Sequence, residues 1–249
     1  MQLRFIILLV LISLGAPLFS AAQQASNPIE NRSYYRTKNI GGFTLHTSGL
    51  GAYYRRGWRA TGFLDRMMNI EYVNMRHPKE YKVFTQGSSS QRGYFYGKVN
   101  SFSMLRASYG WQKVMFDKEV KRGVRVSYIF LFGPSIGFLK PIYVEVDYPD
   151  QGTTQSAIEP YDFDKHSAAT IEQRAPFIYG INQIKLRPGG HVKAAFNFEY
   201  SSDDQIIRAV EVGSNLDVFA QRINMMANTY NNQFFLTLYL SLQFGKKYL

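Results

Sequence analysis

The sequence predicts an all-β fold: an antiparallel transmembrane β-barrel of eight strands, with ten as the larger option and a long, partly helical extracellular loop. Three observations carry this expectation. Several segments alternate apolar and polar residues over nine or more positions, long enough to cross a bilayer as tilted strands. Beyond the N-terminus no apolar run approaches the roughly 20 residues that a membrane-spanning helix needs. The first residues, MQLRFIILLVLISLGAPLFSAAQQ, have the plan of an export signal.

That signal places Arg4 before a hydrophobic run from Phe5 to Leu14, with Ser20 and Ala22 at the small-residue spacing that signal peptidase reads. The first mature residue is therefore expected at Gln23. The chain divides into a signal peptide (1–22), an N-terminal periplasmic segment (23–42) and the barrel (43–249). The absence of cysteine removes disulfides, thiolate nucleophiles and thiolate metal sites from consideration. Aromatic residues are plentiful, with 18 Tyr, 19 Phe and 2 Trp.

The strands come in order along the chain. FTLHTSGLGAYY (43–54) and GFLDRMMNIEY (62–72) pair through RRGWRAT. In the second, Asp65, Asn69 and Glu71 share one face and Leu64, Met68, Ile70 and Tyr72 the other. FYGKVNSFSMLRASYGW (95–111) is the third. VRVSYIFLF (124–132) is the fourth, with Val124, Val126, Tyr128, Phe130 and Phe132 outward and Arg125 and Ser127 inward. Gly133-Pro134-Ser135 reads as a turn, because proline cannot donate to a central ladder. IGFLKPIYVEV (136–146) returns as the fifth strand.

HVKAAFNFEY (191–200), the sixth, puts Val192, Ala194, Phe196, Phe198 and Tyr200 opposite His191, Lys193, Asn197 and Glu199. QIIRAVEVGSNLDVF (205–219) lines the interior with Glu211, Gly213, Asn215 and Asp217. The last strand, QFFLTLYLSLQFGKKYL, has the clearest pattern. Phe234, Leu236, Leu238, Leu240, Leu242 and Phe244 form an unbroken lipid-facing row, against Thr237, Tyr239, Ser241 and Gln243 on the other side. Both termini are expected in the periplasm. The 147–189 connection is then extracellular, with short helices around Pro176, while 73–94 falls awkwardly on the periplasmic side; KEYKVFTQ within it is a candidate for a further short strand.

Hydrocarbon offers no partners to an open sheet edge, so the sheet must close. The interior of so small a barrel is filled by side chains. Its predicted members are Asp65, Glu71, Arg106, Arg125, Lys193, Glu199, Glu211 and Asp217, whose mixed signs predict a paired polar lumen, because an unpaired buried charge is costly. Asp162, Asp164, His166 and Glu172 are metal ligands by type only. Their spacing matches no metal motif, so neither a metal nor another cofactor is expected.

His46 and Ser48 fall on one strand face in the first predicted strand and are candidates for an activated nucleophile. The HTS fragment resembles the His-x-Ser element of outer-membrane lipid A deacylases. That resemblance implies His46 as base, Ser48 as nucleophile and a glutamate to orient the histidine. The adjacent His166-Ser167 pair would not share a strand face.

The formal charge of +11 drops to about +10 after removal of Arg4. No zinc-finger spacing, RNA-binding aromatic signature or basic helix accompanies it, so outer-membrane lipid and lipopolysaccharide are expected partners and nucleic acid is not. The signal end FSAAQQ, the EVGSNLDVF segment and the terminal FFLTLYLSLQFGKKYL together resemble small outer-membrane barrel proteins of Bacteroidota-type bacteria. The resemblance implies a structural or accessory barrel seated against a larger envelope or secretion complex. The alternatives are a lipid A or phospholipid acyl hydrolase and a small transport channel.

Overall fold

Alternation along the last strand is realised side chain by side chain. Leu236 and Leu238 are 71 % and 61 % exposed, whereas the intervening Thr237 and Tyr239 are 2 % and 4 % exposed. A strand with a period of two and so much exposed apolar surface is stable only where its outer face meets hydrocarbon. The computed structural model describes residues 35–84, 93–118, 123–150, 153–166, 170–203 and 205–248. The signal-peptide assignment (1–22) and the segment up to residue 34 lie outside them, as does Ser167.

Thirteen strands are present among these residues: β1 Thr37–His46, β2 Gly49–Arg59, β3 Leu64–Met75, β4 Lys82–Val83, β5 Tyr94–Phe95, β6 Asn100–Phe116, β7 Arg125–Pro141, β8 Tyr143–Asp150, β9 Thr153–Pro160, β10 Ile171–Arg174, β11 Lys185–Glu199, β12 Ile206–Phe219 and β13 Phe234–Tyr248. Eight of them close into a barrel in the ring order β1-β13-β12-β11-β7-β6-β3-β2, with every neighbouring pair antiparallel. Closure pairs the first strand with the last, Thr37 opposite Tyr248 through His46 opposite Tyr239. The wall thus has no open edge facing lipid. Among the described residues no helix is long and apolar enough to cross a membrane; the strands make the crossing.

The strand number matches expectation, but the partition does not. The segment 43–54 is a hairpin rather than one strand: β1 ends at His46, Thr47 and Ser48 turn, and β2 begins at Gly49. The turn is invisible to a hydrophobicity pattern because apolar residues flank it on both sides. Gly49 makes it possible, with φ at +153° and the Asn74 carbonyl where a Cβ would stand.

Conversely, Gly133-Pro134-Ser135 is not a turn. It lies within β7, which runs continuously from Arg125 to Pro141 and merges two predicted strands. Pro134 still pairs with Gly190 of β11, while the β6–β7 register breaks off between Arg106↔Ser135 and Tyr109↔Phe132. The proline's missing N–H therefore faces β6, and the strand tolerates it. One split and one merger cancel, leaving eight.

The extra hairpin also reverses the sidedness of the connections between it and the merged strand, namely 60–63, 76–99 and 117–124, while the later ones keep their expected side. The long connections 76–99, 142–184 and 220–233 share one end of the barrel with the tight 47–48 turn. The short connections 60–63, 117–124 and 200–205 share the other with both ends of the barrel. The awkward long loop at 73–94 is thereby resolved. Strand β1 starts at Thr37, six residues before the expected barrel boundary.

The expectation of a partly helical 147–189 loop is overturned. Among its described residues the only helical piece is a three-residue 3-10 turn, Ile181–Gln183. Strands β10, β8 and β9 form instead a three-stranded antiparallel sheet beyond the barrel. The alternating β-branched residues of YVEVDYP and TTQSAIEP explain this preference. Tyr94, Val144, Val146, Tyr161 and Ile171 bury one face of that sheet in a small second core, packed by Tyr96, Val99 and Phe163 from both loops.

Candidate functional site

The inward positions stack as layers, and the middle layer is ionic. On β2, Tyr53 and Arg55 point inward while Leu50 and Tyr54 point out. Arg55 Nη1 and Nη2 donate to Glu211 Oε2 and Oε1 at 2.7 and 3.2 Å. Lys193 Nζ donates to Glu71 at 3.1 Å and lies 3.8 Å from Glu211. Arg106 donates to both oxygens of Asp217 at 2.8 and 2.6 Å and lies 3.5 Å from Glu71.

Three cations thus face three carboxylates, all fully buried or nearly so. Glu211 also accepts the Tyr239 hydroxyl at 2.6 Å and the Gln243 amide. The Lys193 ammonium sits 4.4 Å above the Tyr239 ring. A chain of charge-assisted bonds with every ion paired is the arrangement that makes buried charge tolerable.

A second ionic group lies toward the short-turn end. Lys38 donates to Asp65 and Gln112, each at 2.6 Å; Lys247 donates to Glu199 at 2.6 Å; Arg125 donates to Asp117 at 2.7 Å and lies 4.0 Å from Glu199. Of the eight predicted interior charges, the fold brings Glu71, Arg106, Lys193, Glu211 and Asp217 together in the middle. It places Asp65, Arg125 and Glu199 in this separate, half-buried mouth. Arg55 escapes a sequence reading because RRGWRAT has the composition of a connection. Its signal is the continued alternation Tyr53, Arg55, Gly57 after Tyr54.

Toward the loop end the lumen is apolar. Val73, Met75, Phe102, Met104, Leu139 and Phe219 point in from the wall. Ile223, Met225 and Met226, from the 220–233 connection, fold down among them. Phe102, Phe219 and Phe235 meet as an aromatic trio with centroids 5.4 to 6.0 Å apart. The lumen is therefore occupied at its mouth, its middle and its loop end.

His46 and Ser48 meet through a backbone contact. Ser48 lies in the turn, and its backbone N–H, not its hydroxyl, bonds to His46 Nδ1 at 3.2 Å. His46 Nε2 is buried without a hydrogen-bond partner among the described residues. A different pair does meet: His191 Nε2 and Ser108 Oγ are 2.8 Å apart, fully enclosed in the wall beneath the apolar layer. The acidic loop residues shape a turn, since Asp162 N–H donates to His166 Nδ1 and Asp164 N–H to Asp162, both at 3.1 Å. Among the described residues no three His, Asp or Glu side chains gather as metal ligands would.

At the loop end, burial holds the Lys98 ammonium below its usual range against the pull of Glu80, 2.7 Å away. Burial raises the Tyr161 hydroxyl, which accepts the Gly97 N–H at 3.1 Å. The first contact closes the 76–99 loop on itself, and the second ties it to Tyr161, just past β9.

No protein-family model and no curated protein sequence matches this chain. Solved structures of similar strand layout include Ail, the attachment invasion locus protein of Yersinia pestis (8% identity, 86% of this chain and 100% of that one, TM-score 0.44). Others are neisserial surface protein A (9%, 87% and 98%, 0.41) and the N-terminal β-barrel domain of Pseudomonas aeruginosa OprF (6%, 84% and 98%, 0.33). At such identities side chains do not correspond, and no residue role is carried over.

Proposed function

We propose that this chain is a non-catalytic barrel of the bacterial outer membrane, exported by its N-terminal signal and acting as a structural or accessory subunit of a larger envelope assembly. Both termini and the short turns face the periplasm, and the three long connections face outside, as is usual for such barrels. The observation that carries this reading is the contrast between lumen and rim. The lumen is filled with paired ions and a phenylalanine trio, whereas the loop end builds a second folded layer in which, among the described residues, β9 is paired on one side only. A free strand edge beside exposed Tyr148 and Ile158 is a surface that a partner protein can extend.

The geometry weighs against the two rival activities. A hydrolase needs its serine hydroxyl held by the histidine, and among the described contacts Ser48 reaches His46 only through its backbone N–H at Nδ1, while Nε2 meets no hydroxyl. A channel needs an aqueous path, and three successive layers of side chains stand across it.

The test is in-cell cross-linking from β9, followed by mass spectrometry and lipid analysis of a deletion strain. The reading expects one stoichiometric membrane partner linked through 156–158, and lipid masses that do not change with His46→Ala. A lipid mass that depends on His46, or a complete absence of partner, contradicts it.

A further inference from the structure

On the outer wall of β7, apolar residues run from Val126 to Phe138, a height of about 30 Å at ordinary strand rise and tilt, close to the usual lipid-facing band. The next outward residue is Lys140, only 7 % exposed. Its ammonium lies 4.2 Å over the Phe177 ring and within electrostatic reach of Arg174. Among the described residues no carboxylate pairs with Lys140 or Arg174; nearby Glu145 is held by Gln173 at 2.7 Å.

Beside these two cations, the 176–184 turn lies against the wall. Tyr179 packs on Tyr143 at 6.2 Å, and Gly180, with φ at +83°, closes onto Pro141 and Tyr143. The turn presents Phe177 at 66 % and Ile178 at 71 % exposure, next to the outward Leu186 of β11.

Exposed apolar residues continuous with the lipid-facing wall, next to two cations that lack a protein anion at headgroup height, match one occupant. We propose that Lys140 and Arg174 seat the phosphate of an anionic lipid in the leaflet at the loop end, with Phe177 and Ile178 inserted among its acyl chains. The lysine acts as a point charge and the arginine as a planar fork, a combination suited to phosphate oxygens. The aromatic ring holds the lysine in place while it is unoccupied by lipid. This inference rests on the outer-membrane reading and specifies which wall position the lipid recognises.

The test uses the full chain, folded in neutral detergent and offered diphosphoryl lipid A or phosphatidylcholine, with bound lipid counted by native mass spectrometry. Wild type is expected to retain lipid A in preference to phosphatidylcholine. Lys140→Gln combined with Arg174→Gln is expected to weaken that retention by on the order of tenfold. Lys140→Arg keeps it, and Phe177→Ser with Ile178→Ser lowers it for both lipids. Displacement of the lipid by inorganic phosphate alone would overturn a lipid seat in favour of a simple anion site. Equal retention by wild type and the double glutamine variant, or no retention by a barrel that still migrates as folded in unheated electrophoresis, would overturn the seat and leave the barrel reading intact. Failure to fold in any detergent would instead overturn the barrel reading.

Discussion

Arg55 of β2 and Glu211 of β12 meet in a two-pronged ion pair at 2.7 and 3.2 Å, both side chains wholly buried, although β1 and β13 stand between their strands in the wall. The pair spans the lumen and ties opposite halves of the ring. Glu211 is the hub, since Tyr239, Gln243 and Lys193 also converge on it.

Breaking that hub from one side leaves a buried guanidinium without its counter-charge. Glu211→Leu is expected to cost about 3–5 kcal/mol, whereas Arg55→Met with Glu211→Leu costs clearly less, because no lone charge remains on that axis. Urea unfolding in lipid vesicles, followed through Trp58 and Trp111 fluorescence, measures both. Equal losses would mean that the pair is not what holds the middle layer.

The outer row of β13 carries a depth-dependent expectation. Leu240→Arg, near mid-bilayer, should lose about 2–4 kcal/mol, and Phe244→Arg, near the short-turn end, about 0–1 kcal/mol. The same unfolding experiment compares them. A soluble sandwich would show no such gradient.

Gly49 closes the β1–β2 turn at a φ of +153°, facing the Asn74 carbonyl. Gly49→Ala should destabilise by about 1–3 kcal/mol through strain. Gly41→Ala, where an added Cβ meets nothing within 4 Å, serves as the control and should fall within about 0.5 kcal/mol of wild type.

Pro134 interrupts the β6–β7 ladder from the middle of a strand. Pro134→Ala restores a donor and is expected to raise stability by about 1 kcal/mol. A drop in the urea midpoint would show that proline stiffness at this site outweighs the missing bond.

The strands that are legible in sequence are those whose two faces differ most. On β11 and β13 the outward row is aliphatic or aromatic and the inward row is His191, Lys193, Asn197 and Thr237, Ser241, Gln243, so periodicity alone fixes both orientation and register face. Legibility fails where local chemistry and tertiary context disagree. Thr47-Ser48 turns without an Asn-Gly or Asp-Gly signature, and the residues on each side keep alternating, so two strands read as one. Gly133-Pro134 has the composition of a turn, yet the neighbouring β11 imposes extension on it.

Strands β8 to β10 stand outside the lipid band, so neither face carries the membrane pattern, and Pro176 suggests broken helices instead. Charge pairing in the lumen is legible as composition. Which carboxylate meets which cation depends on ring order, which no single strand contains.

The most direct measurement is lipid accessibility along β13. Because the chain contains no cysteine, single cysteine substitutions from 235 to 243 can each carry a spin label without a background to remove. Collision rates with oxygen, enriched in hydrocarbon, and with a water-soluble nickel chelate should alternate with a period of two: oxygen dominates at 236, 238, 240 and 242, and both reagents are weak at 237, 239 and 241. Nickel access equal to oxygen access at 236, 238 and 240 would contradict a barrel with lipid outside and paired charge within.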